Sequence, residues 1–399
     1  MIFNTYWFLC FSAVFFPVYW LLSHPVPRKG WLIAGCAIFH WHFAGPAGVL
    51  PIAVIGLVTY LVALTRRRLL CTAGIFLCVA ALIFYKYALF LSQDLLAAVF
   101  PAAAESLTKQ IAAVHPGAAP LAISFFAFEF VHYLVDVGRG REPIHRPDDF
   151  VLFALHFPSL VAGPIKRYQD YGPSLQAGLA GVTVDDVAAG AQRIALGLVK
   201  KLLLADNLTL TLNFYGDKFH DLATGEVWLF LAALSARILL DFSGYTDIAI
   251  GLSRLLGVRL PENFNWPYLA TSLQDFWQRW HMSLTSWIRD YVYIPLGGNR
   301  RGRPRQLVNA LIVFSLCGLW HGPAWHFVLW GLWHGFGLVL NHAYATLLGP
   351  IGRRLHDLLA RLPGVAWALT QLYVALGWLL FFYEPARAVE MAAQLFNLR

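Results

Sequence analysis

Between Leu273 and Gly337 the chain gathers four histidines (His281, His321, His326 and His334), seven tryptophans and a knot of arginines. The apolar run Leu307 to Leu319 leads straight into Trp320-His321-Gly322-Pro323, and the Gly-Pro pair predicts that a helix stops there. An imidazole at the end of a broken apolar helix is expensive at membrane depth, so His321 is a functional-site candidate. A histidine bonded to a neighbouring helix, or seated at headgroup level, would give the same pattern. The chemistry His321 suits is general-base catalysis, in which a neutral imidazole takes the proton of an attacking hydroxyl, a contribution of typically about 10² to 10⁴-fold. Cys317 lies four residues earlier on the same helix face. A Cys-His pair can carry a covalent intermediate. The alternative is a small packing residue, because a reactive thiolate needs an electropositive, accessible setting.

His326 and His334 either line the same cavity or pack between helices. With His321 they are spaced by 5 and 8 residues, which is no HExxH-like arrangement, so no metal site is expected. Trp277, Trp280, Trp320 and Trp325 are expected to wall a cavity or to sit at a membrane interface, where the indole N–H finds partners. Four arginines lie between Arg300 and Arg305. They read as a topology anchor, or as a dock for an acidic carrier protein or a phosphorylated donor. The sequence contains no G-x-S-x-G elbow and no P-loop.

The elements that position these residues follow from composition. The 399 residues are 58% hydrophobic and 13% charged, with a mean hydropathy of +0.58; soluble domains carry about 25% charge. An all-α polytopic membrane protein is the class that fits, with about ten to twelve transmembrane or re-entrant helices at roughly 20 residues each. The net charge of +8 resides in short loops rather than on a basic helix or aromatic platform, so nucleic acid is not an expected partner. The five cysteines form no CxxC pair and no disulfide framework is expected.

Spans are expected at Met1 to Leu22, Trp31 to Phe43, Val49 to Leu64, Leu69 to Leu91 and Leu121 to Val137. This alternation puts Arg28-Lys29, Arg66 to Arg68 and Arg139 to Arg146 on one side. The loops near Gly45 and from Ser92 to Ala119 hold one lysine and no arginine, so the arginine side is expected to be cytoplasmic. Ser92 to Pro120 is expected to lie on the outer face. Pro158, Gly163 and Pro164 predict a broken or re-entrant helix over Phe150 to Ile165, emerging at Lys166-Arg167. Arg237 and Asp241, one turn apart, are expected to pair. Phe264 to Tyr293 is expected to be one amphipathic helix. Leu307 to Leu319, Ala324 to Leu340 and Val365 to Tyr383 complete the helices, with an amphipathic tail after Pro385. No linker divides the chain. It reads as one domain over 1–399, with N-terminal spans at 1–119, a core at 120–345 and a C-terminal span and tail at 346–399.

Phe276 to Gly302 and Gly318 to Gly335 (GLWHGPAWHFVLWGLWHG) resemble the membrane-bound O-acyltransferase family, nearest to its bacterial polysaccharide O-acetylating branch and more distantly to the teichoic acid D-alanylating one. Pro120 to Gly140, His156 to Tyr168 and Asp241 to Gly257 agree, so the resemblance runs in order over roughly Pro120 to Leu340. It implies helices around a central tunnel, with His321 as the catalytic residue of the WHG motif and His281 as the second polar position, polarising a thioester carbonyl or positioning the acceptor. Trp277, Trp280, Trp320, Trp325, Asn299, Arg300 and His334 are the expected substrate-binding residues. No bound cofactor is implied. The donor would be an acyl thioester such as acetyl-CoA or an acyl carrier protein. The acceptor would be an exported polysaccharide or a periplasmic acetyltransferase or acyl-relay protein, the whole seated in the lipid of the bacterial inner membrane. Peptidoglycan or D-alanyl transfer, a transporter and a catalytically idle scaffold are the alternatives. Glu129 departs from the family pattern, standing where a neutral polar residue is usual.

Overall fold

The computed structural model describes residues 2–115, 117 and 119–398. Helices make up its regular structure, with no strand among the described residues, as expected where hydrocarbon leaves backbone groups no outside partner. Two compact units emerge: Met1–Gly197 with Tyr245–Pro261, and Leu198–Gly244 with Glu262–Arg399. Among the described residues, four helices are long and apolar enough to cross a membrane: Pro25–Leu64, Arg68–Leu96, Thr224–Arg254 and Pro363–Phe382.

The first unit holds α1 (Tyr6–Leu21), α2 (Pro25–Leu64), α3 (Arg68–Leu82) with its π-turn continuation through α4 (Ala88–Phe90), α5 (Pro101–Val114), α6 (Ile123–Gly138), α7 (Pro147–Leu155), α8 (Tyr168–Ala180) and α9 (Val184–Leu198), whose last residue falls to the second unit. At 40 residues, α2 would run about 60 Å if straight, twice the hydrocarbon thickness. It bends instead at Gly45, whose left-handed φ of 64° only glycine adopts freely, followed by Pro46. Lys29 pairs with Asp148 and Asp149 at 2.6 Å, and Tyr60 donates to the His145 carbonyl at 2.6 Å. Both ends of α2 therefore reach one segment, so the helix folds back at Gly45, between the two segments expected as separate spans. Arg146 and Lys29 hold the Asp148 carboxyl well below the usual carboxylate range.

Helix α7 stops at Leu155, ahead of the 3-10 turn Phe157–Ser159, where the proline was expected to break it. The exit at Lys166-Arg167 is different from expectation. Lys166 is buried, bonded to Glu129 of α6 at 2.5 Å, with its ammonium 5.3 Å from the Phe153 ring centre and 5.7 Å from that of Tyr171. A buried carboxylate needs a partner, and Lys166 explains why an acid is tolerated at position 129.

The second unit contains α10 (Asp206–Asp217), the first part of α11 (Thr224–Arg254), α12 (Leu273–Arg279), α13 (Met282–Ile288), α14 (Arg303–His321), α15 (Trp325–Leu347), α16 (Gly349–Arg361), α17 (Pro363–Phe382) and α18 (Pro385–Leu395). The Arg237–Asp241 pair is present at 4.0 Å, but Asp241 lies closer to Lys201, at 2.6 Å. Arg237 donates to the Thr209 hydroxyl at 3.0 Å and sits over the Phe382 ring. The single helix expected over Phe264 to Tyr293 is instead two short ones, α12 and α13, broken at His281.

Candidate active site

His321 is the last residue of α14. Gly322 continues in extended backbone (φ −173°) and Pro323 cannot extend the helix, so the chain turns at once into α15. The two helices run antiparallel in close contact. A Cβ at Gly331 would stand 3.2 Å from the Gly318 Cα, and one at Gly318 would run into the Phe327 carbonyl. Only glycine lets the backbones approach this far, a familiar device in membrane helix pairs. The half-buried His321 ring meets Trp320 (4.8 Å), Phe381 (5.0 Å) and Trp330 (5.1 Å, edge to face). It is thus oriented by aromatic walls while remaining reachable.

His281 occupies the break between α12 and α13 with left-handed backbone (φ 46°, ψ 52°). That region costs a non-glycine residue about 1 to 2 kcal/mol. Asn263 fixes the bend: its side-chain oxygen accepts from the Ser283 amide (3.2 Å) and hydroxyl (2.6 Å), and its carbonyl accepts from the Met282 amide (2.9 Å). The buried imidazole lies 4.7 Å from Phe242 and 5.9 Å from Trp320. Its Nε2 has no hydrogen-bond partner among the described residues, a condition that in native structures asks for a reason. Trp320 is a neighbour that His281 and His321 share.

His334 is fully buried among Trp330 (5.0 Å), Trp277 (5.1 Å), Trp378 (6.1 Å), Phe276 and Tyr373 (both 6.3 Å). Neither of its ring nitrogens is bonded among the described residues. Trp280 stacks on Phe276 and lies 4.9 Å from Trp378. The structure therefore gathers His281, His321, His334, Trp277, Trp280 and Trp320 in one aromatic cluster. Trp330 and Phe381 belong to it as well, and the i, i+4 spacing of Trp330 and His334 is the sequence signal that points to the former. Trp325 is 43% exposed at the head of α15. His326 lies with Nδ1 3.2 Å from the Leu380 carbonyl, a packing contact between helices. Asn299 and Arg300 are exposed before α14 begins, roughly 27 Å along its axis from His321 at 1.5 Å per residue.

A cavity of about 230 Å³ connects these two levels in part. Arg289, Gln306 and His342 line it toward the start of α14, and Phe314, Cys317 and Trp277 line it one turn short of His321. Trp277 stands with one edge against Phe314 (4.7 Å) and its ring 5.1 Å from His334. Cys317 is buried and free. An elongated, mostly apolar guest entering from the arginine end would bring its tip to the aromatic cluster, where a half-exposed imidazole can accept a proton.

Residues 144–352 match the family described as membrane-bound O-acyltransferase. The chain is 39% identical over 266 residues to the "Probable alginate O-acetylase AlgI" of Pseudomonas aeruginosa, covering 66% of this chain and 49% of that one. It is 31% identical to the peptidoglycan O-acetyltransferase of Helicobacter pylori, covering 96% of this chain and 77% of that one. The teichoic acid D-alanyltransferase of Bacillus subtilis is 31% identical over 224 residues, 53% of this chain and 55% of that one. The chain spans about half the length of the alginate O-acetylases it matches. With the family match covering more than half of its residues and a relative alike over nearly its whole length, the chain belongs to the membrane-bound O-acyltransferase family.

Proposed function

We propose that the chain is a multi-pass O-acyltransferase of the bacterial inner membrane that moves an acyl group, most simply acetyl, from a cytoplasmic thioester to a hydroxyl of an exported polysaccharide or of a periplasmic acyl-accepting partner. The observation that carries this reading is the half-buried His321 at the broken end of α14, one turn beyond a cavity lined from Arg289 and Gln306 to Cys317. A thioester arm lying in that cavity would present its carbonyl near His321. The acceptor oxygen attacks the carbonyl carbon as its proton passes to the imidazole; the tetrahedral adduct then expels the thiolate, which takes the proton back as thiol. His281 stands across Trp320 to polarise the carbonyl or hold the acceptor. Trp277, Trp280, Trp320 and His334 wall the reaction off from water, which strengthens each polar interaction. Asn299 and Arg300, with the arginines after them, lie where the phosphorylated end of acetyl-CoA or an acidic acyl carrier protein would arrive.

Peptidoglycan is the second acceptor to weigh, because the peptidoglycan O-acetyltransferase of Helicobacter pylori is a relative similar over almost all of this chain. Proteoliposomes separate these readings from transport. Labelled acetyl thioester is supplied on the arginine side, with alginate-type polymer or peptidoglycan fragments on the other. Acyl transfer gives labelled ester only in the acceptor compartment and free thiol only in the donor compartment. A transporter delivers intact thioester instead, and a scaffold delivers nothing.

A further inference from the structure

We propose that α16 is a surface helix lying in the plane of the membrane that binds anionic phospholipid on the arginine side. Ile351, Leu355, Leu358 and Leu362 recur at intervals of 4, 3 and 4, a single stripe along the helix. That stripe is uncovered: Ile351 is 71% exposed, Leu358 51% and Leu362 44%. The stripe continues into exposed Val365 and Leu369 of α17, one of the helices apolar enough to cross a membrane. What covers α17 therefore covers α16 too, and that is lipid. A cleft of about 710 Å³, with Leu355 and Leu359 of α16, Leu340 of α15 and Leu369 of α17 on its apolar side and Ser272, Asn341 and Thr370 on its polar one, separates α16 from its neighbours over part of its length.

Charge supplies the headgroup. Arg354 and Arg361 are exposed on the flank of the stripe and Arg353 on the opposite face, and Asp357, the one acid of the helix, lies 3.6 Å from His356. Arginine stems lie along apolar surface while the guanidinium reaches phosphate. The level is set by the hairpin before it. Gly318 meets Gly331 and Gly335 meets Leu311, so α15 returns to the end where α14 starts, beside Arg300 to Arg305. This concentrates seven arginines at one end of the hairpin, where an anionic leaflet gains most from them.

The test uses the full-length protein in nanodiscs of phosphatidylcholine alone or with phosphatidylglycerol. Amide hydrogen exchange is read over residues 349–361, and retained phosphatidylglycerol is counted by native mass spectrometry. Exchange of α16 slows in the phosphatidylglycerol discs. R353Q/R354Q/R361Q abolishes that difference and retains less of the lipid, each arginine being worth about a fivefold factor. R353K/R354K/R361K keeps both. Unchanged exchange in α14 and α15 confirms an intact fold. Equal α16 exchange of the native protein in the two lipids overturns the proposal. So does protection that survives in the glutamine variant, or that appears only when an acidic carrier protein is added to phosphatidylcholine discs.

Discussion

Gly318 of α14 and Gly331 of α15 meet backbone to backbone, with no room for a side chain on either, one turn before His321. The interhelical contact thus helps to set the position of the imidazole, together with the rings that surround it. A methyl group at either glycine must push the helices apart. Gly318→Ala and Gly331→Ala are expected to lower acyl transfer by about 100-fold, the usual penalty for a misplacement of about 1 Å at a reacting group. Gly364→Ala, where an added Cβ meets nothing within 4 Å, leaves transfer unchanged. Transfer rates normalised to membrane abundance check both.

His281 combines a left-handed backbone with a buried nitrogen that has no hydrogen-bond partner among the described residues. Replacing it with glycine relieves about 1 to 2 kcal/mol of backbone strain while removing the imidazole. A packing role predicts loss of both stability and activity in His281→Gly. The site proposed here predicts thermal stability at or above that of the parent with transfer reduced at least tenfold. Thermal unfolding in detergent beside a transfer assay distinguishes the two.

The Lys166–Glu129 pair lies inside the first unit. Lys166→Met alone strands a buried carboxylate and is expected to destabilise by roughly 3 to 5 kcal/mol. Adding Glu129→Leu should restore most of that loss. Unfolding midpoints of the two variants and the parent decide it, and equal midpoints for the single and double variants would show that the pair is not coupled.

Ala310 lines the cavity between the arginine end and Cys317. Ala310→Phe fills it without touching His321, so KM for the thioester donor should rise at least tenfold while the acceptor KM stays within about twofold. An unchanged donor KM would place the donor elsewhere.

Much of the fold was legible because local punctuation dictated it. Gly45-Pro46 folds α2 back, Pro158 follows the end of α7, and Gly322-Pro323 ends α14 at the histidine. What escaped sequence reasoning was set at long range. The bend at His281 depends on Asn263, 18 residues earlier and outside the helix it breaks. Spacing rules see the i, i+4 pair of Arg237 and Asp241, yet Lys201, 40 positions away, is the closer partner. Glu129 had no explanation until Lys166, which was expected at the surface, was found buried against it. At the site, the residue types announced His321 and the tryptophans around it. Burial then divided the histidines: His281 and His334 are enclosed and His321 is half-open.

The most direct measurement is single-turnover acyl transfer from a saturating thioester donor by the parent and His321→Ala, with equal folded protein verified by gel filtration. General-base catalysis at His321 predicts a rate lower by about 10² to 10⁴-fold in the variant. A variant rate within a few-fold of the parent would contradict the account and remove His321 from the chemistry.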